Sequence, residues 1–253
     1  MPRLAVAVAP IGLAAALGLG ALASAESATE QHSVNTATQP VGVQSPAPAP
    51  VLSPAAPEAP VALAAPKAED QKPAEIKPQA VTKQLPVSYE AQKTGYWCGP
   101  AATRIAMSSK TGDLPSQSEM AKTLGTTTNG TDHVGQVADG LNKLVGNTGA
   151  HYEAKDLSSR EISPEMKKEL WDDTVRNIDS GKAMVANIVA KPGNQPPGYP
   201  SSKTIYHYVA VTGYDAEKKN VKISDPANFS GNKEYWLSLD KLTSLTQPRG
   251  YVA

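Results

Sequence analysis

The 253-residue sequence contains a single cysteine, Cys98, and its neighbours place it at the start of a predicted helix. Gly99 and Pro100 lead into the helix-like stretch 101–107, and proline is tolerated in a first helical turn because its missing N–H would be unpaired there. The helix dipole and a nearby imidazolium together lower the pKa of a thiol from ~8.5 to roughly 3.5–7.5. A buried inert thiol or an intermolecular disulfide are the alternatives, since one cysteine cannot form an internal bridge. The local pattern makes Cys98 a candidate nucleophile for acyl transfer.

A thiol nucleophile needs a base, and the four histidines of the sequence differ in how well they suit this role. His32 follows the N-terminal apolar segment, His133 lies beside a Thr/Asn/Gly loop, and His151 begins an isolated strand-like stretch. His207 lies within the Tyr- and Val-rich run 205–211, which predicts a strand that would hold its imidazole in place. A histidine in a strand is more often structural, so a partner for its second ring nitrogen has to be identified.

Asp225 is the candidate for that partner, because a predicted hairpin returns the chain to the strand that carries His207. The polar segment 215–220 separates this strand from the alternating run 221–225. An aspartate before a proline, as in Asp225-Pro226, is often only part of a turn. If the strands pair odd positions with odd positions, however, both side chains project from one face, and the carboxylate can orient the imidazole.

Gln92 lies six residues before Cys98, in a polar segment that leads into the helix. At this spacing a side-chain amide and the backbone N–H of Cys98 can converge on one oxygen, as the stabilisation of an oxyanion requires. A glutamine in a loop usually has no such role, so the residue type alone does not decide between the two interpretations.

The N-terminus has the pattern of a secretory signal. Arg3 precedes the mostly apolar run 4–22, and Ala23-Ser24-Ala25 is a small-residue cleavage site, which predicts a signal peptide over residues 1–25. An uncleaved anchor helix is the alternative, but glycines interrupt the run and no stop-transfer charges follow it. We therefore expect a secreted protein, extracellular or in the cell envelope, with no stable membrane span after cleavage.

Residues 26–84 are predicted to be a disordered Ala/Pro-rich linker. Eleven of the 22 prolines lie between Pro40 and Pro86, and the Ala-Pro repeats favour extended polyproline II rather than a packed core. Lys plus Arg and Asp plus Glu number 24 each in the whole chain, so no net charge favours binding to nucleic acid.

Residues 85–253 are predicted to form one domain of the α+β class, with helices first and strands afterwards. Ser116 and Glu119 have the spacing of a capping box, which predicts a short helix that ends near Gly125. The other predicted helices cover 101–107, 134–145 and 164–178, and the predicted strands cover 183–189, 205–214, 221–225 and 235–239. The Gly/Pro-rich loop 191–203 before the His207 strand is either part of a substrate cleft or a plain connection.

Four blocks occur in order: Gln92, then Tyr96-Trp97-Cys98-Gly99-Pro100-Ala101, then residues 207–215, then Asp225-Pro226. Together they resemble the peptidase C39-like family of the papain-like superfamily, over about residues 85–252. The resemblance implies a papain-like fold in which N-terminal helices pack on a C-terminal antiparallel sheet. It also implies that Cys98 is the nucleophile, His207 the general base and acid, Asp225 the orienting residue and Gln92 the oxyanion donor.

The function that this resemblance implies is hydrolysis of a peptide or protein substrate, for instance a cell-envelope peptide, by a monomer without a cofactor. No pair of cysteines or histidines has metal-ligand spacing, so no metal site is predicted. The C39 peptidases that trim double-glycine leaders are fused to transporter and ATPase modules, whereas this sequence has no P-loop pattern, which argues against a role in leader trimming. A transamidase and a binding module that keeps the fold without hydrolysis stay open as alternatives.

Overall fold

The structure is a computed structural model that describes residues 75–253, so the predicted signal peptide and most of the predicted linker lie outside the described residues. Helices and an antiparallel sheet make up the described part, as predicted for the α+β class. The helices are α1 (Cys98–Met107), α2 (Gln117–Thr123), α3 (Val134–Val145), α4 (Pro164–Asp179) and α5 (Leu239–Thr246). The strands are β1 (Thr82–Gln84), β2 (Ala154–Lys155), β3 (Met184–Ala190), β4 (Ile205–Asp215), β5 (Asn220–Ser224), β6 (Glu234–Ser238) and β7 (Gly250–Val252).

The sheet has the strand order β2-β7-β3-β4-β5-β6, and all neighbouring strands are antiparallel. Strand β1 also pairs with β4, where Thr82 lies opposite Asp215. This strand falls inside the segment predicted as linker, and the folded region therefore starts at least three residues before the predicted boundary at Leu85. Its sequence, Thr-Lys-Gln, lacks the apolar alternation that marks a strand, because only its backbone is needed for the pairing.

The two faces of the sheet are covered by different helices. Helices α1, α2 and α3 pack on one face, against side chains that include Val185 of β3 and Ala210 of β4. Helices α4 and α5 pack on the other face, against Met184, Val209 and Val211. Strands β3 and β4 are central and covered on both sides, so they read as continuous apolar runs rather than as alternating ones. The central strand β4 is thus held rigidly, and it is the strand that carries His207.

Local signals account for the helix boundaries. Ser116 and Glu119 form the predicted capping box at the start of α2, since the Ser116 Oγ accepts from the Glu119 N–H and the Glu119 carboxylate accepts from the Ser116 N–H. Helix α5 is missing from the sequence prediction. Its sequence is rich in threonine, which is a weak helix former, but Ser238 caps it and Leu242 and Leu245 bury against the sheet. Tertiary packing therefore decides this helix.

Candidate active site

Cys98 is the first residue of α1, as the sequence predicts, and its side chain is buried with 8% exposure. The next residue, Gly99, packs directly against the loop that carries Thr131. A Cβ on Gly99 would lie 2.2 Å from the Thr131 Oγ1, so only glycine permits this approach. The start of the helix and the loop 129–132 thereby form adjacent walls of one site.

His207 joins the thiol to a carboxylate. Its Nε2 lies 2.8 Å from Oδ1 of Asp225, and both side chains are almost wholly buried. With Nε2 bonded to Asp225, the other ring nitrogen is left for Cys98, whose thiol lines the same cavity and whose pKa the imidazole lowers. The structure thus brings together three of the four predicted site residues, which are widely separated in the sequence.

A β-bulge between β4 and β5 decides that His207 and Asp225 share a face. Near the hairpin turn, Gly213 pairs with Lys222, whereas beyond the bulge Ala210 pairs with Ser224. If the register beyond the bulge is continued by one residue, Asp225 lies opposite Val209 and therefore on the same face of the sheet as His207. Without the bulge the register would set Asp225 opposite Ala210, on the other face. The odd-with-odd pairing that the triad requires is therefore confirmed, and an irregularity in the ladder produces it.

The Asp225 carboxylate accepts four hydrogen bonds and has no exposed surface. Oδ1 accepts from His207 and from the Ala227 N–H at 2.9 Å, and Oδ2 accepts from the Tyr199 and Tyr235 hydroxyls, each at 2.7 Å. These donors satisfy the lone pairs that a buried carboxylate presents. The position and orientation of Asp225 are consequently fixed before any substrate arrives.

Sequence reasoning missed Tyr199 and Tyr235. Tyr199 belongs to the loop 191–203, which the sequence left open as a cleft wall or a plain connection; in the structure this tyrosine reaches the buried Asp225. Tyr235 lies in β6, next to β5 in the sheet. Neither has a spacing that marks it, and the only available signal was that a buried Asp225 needs donors beyond one histidine.

Hydrogen bonding and charge, acting against burial, set the pKa values of these groups. Burial disfavours ionised Cys98 and Asp225, but hydrogen bonds to His207 and its charge outweigh burial and lower the pKa of both groups. The Tyr199 and Tyr235 hydroxyls add to the lowering for Asp225. For His207, burial lowers the pKa, while the hydrogen bonds to Asp225 and Cys98 and their charges raise it to about 9. The arrangement favours a thiolate–imidazolium pair beside a carboxylate.

A cavity of about 280 Å³ opens beside the thiol and the imidazole. Loop 129–132 forms one side of it, and side chains of the central sheet and its edge form the other. The residues that line it are Cys98, Asn129, Gly130, Thr131, Asp132, Asn187, Tyr206, His207, Tyr208 and Arg249. A substrate bound here would lie against the Cys98 sulfur.

Gln92, the predicted oxyanion donor, does not line this cavity. Its backbone N–H donates to the carbonyl of Pro226, which ties its segment to the residue after Asp225. Its side-chain Nε2 donates to the Thr94 carbonyl at 2.9 Å and retains a second N–H. The role of Gln92 at an oxyanion stays a prediction.

The other histidines of the described part lie elsewhere. His133 is the N-cap residue of α3, and His151 lines a separate polar cavity with Glu153 and Lys182. Within residues 75–253 no three His, Cys, Asp or Glu side chains converge as metal ligands would. None of the helices in the same range is long and apolar enough to cross a membrane.

A thiol at a helix start, an imidazole on a central strand and a carboxylate behind it form the arrangement of papain-like cysteine peptidases. The chain belongs to the Peptidase_C39 like family, whose match covers residues 84–246. This range contains Gln92, Cys98, His207 and Asp225. No curated protein matches the sequence at a significant level.

Several solved structures resemble this one at low sequence identity. The peptidase domain of Streptococcus ComA, a bifunctional ABC transporter, has 15% identity and a TM-score of 0.41 over 68% of this chain and 97% of its own. A protein from Bacillus anthracis described as a C39-like peptidase has 15% identity and a TM-score of 0.44 over 68% and 96%. Xylellain, a cysteine protease from Xylella fastidiosa, has 13% and 0.35 over 68% and 85%.

Proposed function

We propose that the protein is a secreted cysteine peptidase that hydrolyses peptide bonds through a thioacyl intermediate on Cys98. One observation carries the proposal: the His207 imidazole is hydrogen-bonded to Asp225 and acts on the Cys98 thiol, and the thiol and the imidazole both line one open cavity. Catalytic groups that were buried without access for a substrate would support only a structural role. Membership of the family adds a peptide as the substrate class.

The geometry supports the following sequence of steps. The Cys98 thiolate attacks the carbonyl carbon of the scissile peptide, and the charge moves to the carbonyl oxygen. As the C–N bond breaks, the His207 imidazolium gives its proton to the leaving amine, which departs and leaves a thioester on Cys98. Neutral His207 then takes a proton from water, whose oxygen attacks the thioester, and returns a proton to the sulfur as the carboxylic acid leaves. Asp225 holds the ring in orientation throughout.

The oxyanion needs two donors that point at the carbonyl oxygen. The backbone N–H of Cys98 is one, since it lies in the first turn of α1 and has no intrahelical partner. We assign the second to Gln92, whose segment is anchored beside Asp225 and whose side chain keeps one N–H free of the Thr94 carbonyl. A rotation of this side chain toward Cys98 would complete the site.

The predicted signal peptide supports secretion as the location of this activity, and the predicted linker would separate the peptidase domain from the point of export. We propose that the mature protein acts as a monomer on peptides outside the cytoplasm. N-terminal sequencing of the exported protein should give Glu26 as the first residue.

The rate of Cys98 alkylation tests whether the thiol is activated. At pH 6 an ordinary thiol with a pKa of ~8.5 is almost entirely protonated. We expect iodoacetamide to alkylate Cys98 in the wild-type protein at least about 10-fold faster than in His207→Ala, because the imidazolium stabilises the thiolate. Equal, slow rates in the two proteins would contradict the proposed function and favour a binding module.

Mass spectrometry on a peptide library tests the reaction itself. Wild-type protein should produce new carboxyl termini, and Cys98→Ala should produce none. Repeating the assay with a primary amine in excess separates hydrolysis from transamidation, since transfer would yield amide products at the same positions. Amide products at the expense of acids would replace the peptidase proposal with a transamidase.

A further inference from the structure

The floor of the cavity beside Cys98 contains two buried polar side chains. Asn187 of β3 and Tyr208 of β4 lie opposite each other in the sheet and are 5% and 3% exposed. Among residues 75–253 the Tyr208 hydroxyl has no hydrogen-bond partner, and the Asn187 carboxamide lines the same cavity. Buried polar groups in folded proteins are almost always paired, so donors left open in a cavity indicate a ligand.

Both floor groups can act as hydrogen-bond donors. Burial, together with the negative charge of Cys98, raises the pKa of Tyr208, so that its hydroxyl keeps its proton. The Asn187 carboxamide offers two N–H groups. A ligand that pairs with these two side chains must therefore offer several hydrogen-bond acceptors.

The rim of the cavity adds a positive charge. Arg249 is exposed and its guanidinium carbon lies 5.4 Å from the ring centroid of Tyr206, itself 63% exposed. Within residues 75–253 Arg249 forms no ion pair, although Asp132 lines the same cavity from the opposite loop. Contact with an aromatic face holds the planar guanidinium in place and leaves its N–H edge for an anion.

We propose that this cavity is a carboxylate-binding subsite, in which Arg249 contacts the carboxylate and Asn187 and Tyr208 donate hydrogen bonds to the same residue of the substrate. The inference rests on the proposed function and deepens it, because it names the substrate class: peptides that carry a carboxylate close to the scissile bond. The carboxylate belongs either to an Asp or Glu side chain or to the C-terminus of the peptide. Arg249 itself lies outside the family match of 84–246.

Kinetics on paired peptides test the subsite. One pair differs by Glu against Gln near the cleavage site, and the other by a free against an amidated C-terminus. We expect Arg249→Ala to lower kcat/KM about 10- to 100-fold for the acidic member of a pair and less than about 3-fold for the neutral member, because a charge-assisted bidentate contact is lost. Arg249→Lys should recover part of the loss, and Lys143→Ala, which removes an exposed charge outside the cavity, should change neither.

The outcomes separate the source of the carboxylate. A loss confined to the Glu/Gln pair assigns it to a side chain, and a loss confined to the acid/amide pair assigns it to the C-terminus. Equal losses for both members of each pair, or no preference of the wild type for acidic peptides, would overturn the subsite.

A binding measurement keeps this test independent of catalysis. Calorimetry with Cys98→Ala should show tighter binding of the acidic member, and the difference should disappear in Cys98→Ala/Arg249→Ala. If the wild type cleaves no peptide, the proposed function fails, and this measurement still decides the subsite. Equal binding of acidic and neutral peptides to Cys98→Ala would refute it. Thermal melting of Tyr208→Phe, which keeps the ring, checks that loss of a floor hydroxyl leaves the fold intact.

Discussion

The two sides of His207 differ in how completely their polar groups are paired. Toward Asp225, both carboxylate oxygens are fully paired: they accept from the imidazole, two tyrosine hydroxyls and a backbone N–H. Toward Cys98, the cavity leaves the Tyr208 hydroxyl unpaired and Arg249 without an ion pair among the described residues. The paired side has the character of a preorganised support and the open side that of a binding surface. Substitutions on the paired side should therefore affect stability and turnover, and substitutions on the open side should affect substrate binding.

Asp225→Asn should have the largest effect. Four donors converge on the carboxylate, and an amide offers one acceptor oxygen and introduces two further N–H groups among them. We expect kcat to fall about 10³-fold and the free energy of unfolding to drop by about 3 kcal/mol near neutral pH, since a buried charged partner is removed. Activity assays and urea denaturation measure the two effects.

The stability difference between wild type and Asp225→Asn should shrink in acid. The fold lowers the pKa of Asp225. Its contribution to stability is therefore present above the unfolded pKa of about 3.9 and is lost as the pH falls through the lower folded value. A difference that stays constant from pH 7 to pH 2 would show that the charge of Asp225 is not what the fold stabilises.

Tyr199→Phe and Tyr235→Phe should have the next largest effect. Each removes one donor to Asp225, so the pKa of the carboxylate rises. As the pH is lowered, the carboxylate is then protonated, and stops stabilising the imidazolium, at a higher pH than in the wild type. We expect kcat to fall about 10-fold for each variant, with KM nearly unchanged, and the acid limb of the pH–rate profile to move to higher pH.

Tyr152→Phe is the matched control for these two variants, because the Tyr152 hydroxyl is buried and has no hydrogen-bond partner within the described part of the chain. It should leave kcat and the pH profile as in the wild type. If all three variants behave alike, the effect comes from the packing of the rings and not from the hydroxyls that face Asp225.

Asn187→Leu tests the open side and should have a smaller effect on turnover. A leucine of similar volume removes a buried polar group from the cavity floor, so we expect Tm to stay the same or rise slightly. KM should rise about 3- to 10-fold because the substrate loses a donor. A clear fall in Tm would show that the open side is also structural support.

The smallest expected effect concerns the basic limb of the pH–rate profile, which should be the same in the wild type and in Asn187→Leu. The pKa of His207 is about 9, and the imidazolium that protonates the leaving amine is lost as the pH rises through that value. The limb should therefore lie near pH 9 in the wild type and stay there in Asn187→Leu. A shift of this limb in Asn187→Leu would mean that the open side also tunes the imidazole.

The sequence was sufficient to locate Cys98, His207 and Asp225, because each stands next to a pattern that a short stretch of chain encodes. A proline two residues after Cys98 predicts a helix start, and the run 205–211 predicts the strand of His207. The capping box at Ser116 and the bounds of α3 likewise depend on neighbouring residues and agree with the structure.

What sequence reasoning missed depends on contacts between distant segments. The strands β1 and β7 have only three residues each and are recognisable only through their partners in the sheet. The donors Tyr199 and Tyr235 lie 26 and 10 residues from Asp225. Their roles follow from the direction in which each side chain points once the chain is folded.

Residue types and local patterns identify the candidate catalytic groups: one thiol, one imidazole in a strand and one carboxylate after a hairpin. Their meeting depends on the folded sheet, because the face on which Asp225 projects is set by a bulge that shifts the β4–β5 register by one residue. The fold also pairs the polar groups on the Asp225 side of His207 and leaves polar groups unpaired on the Cys98 side. Local propensity encodes an element and its ends, whereas register and side-chain pairing are settled by packing across the whole sheet.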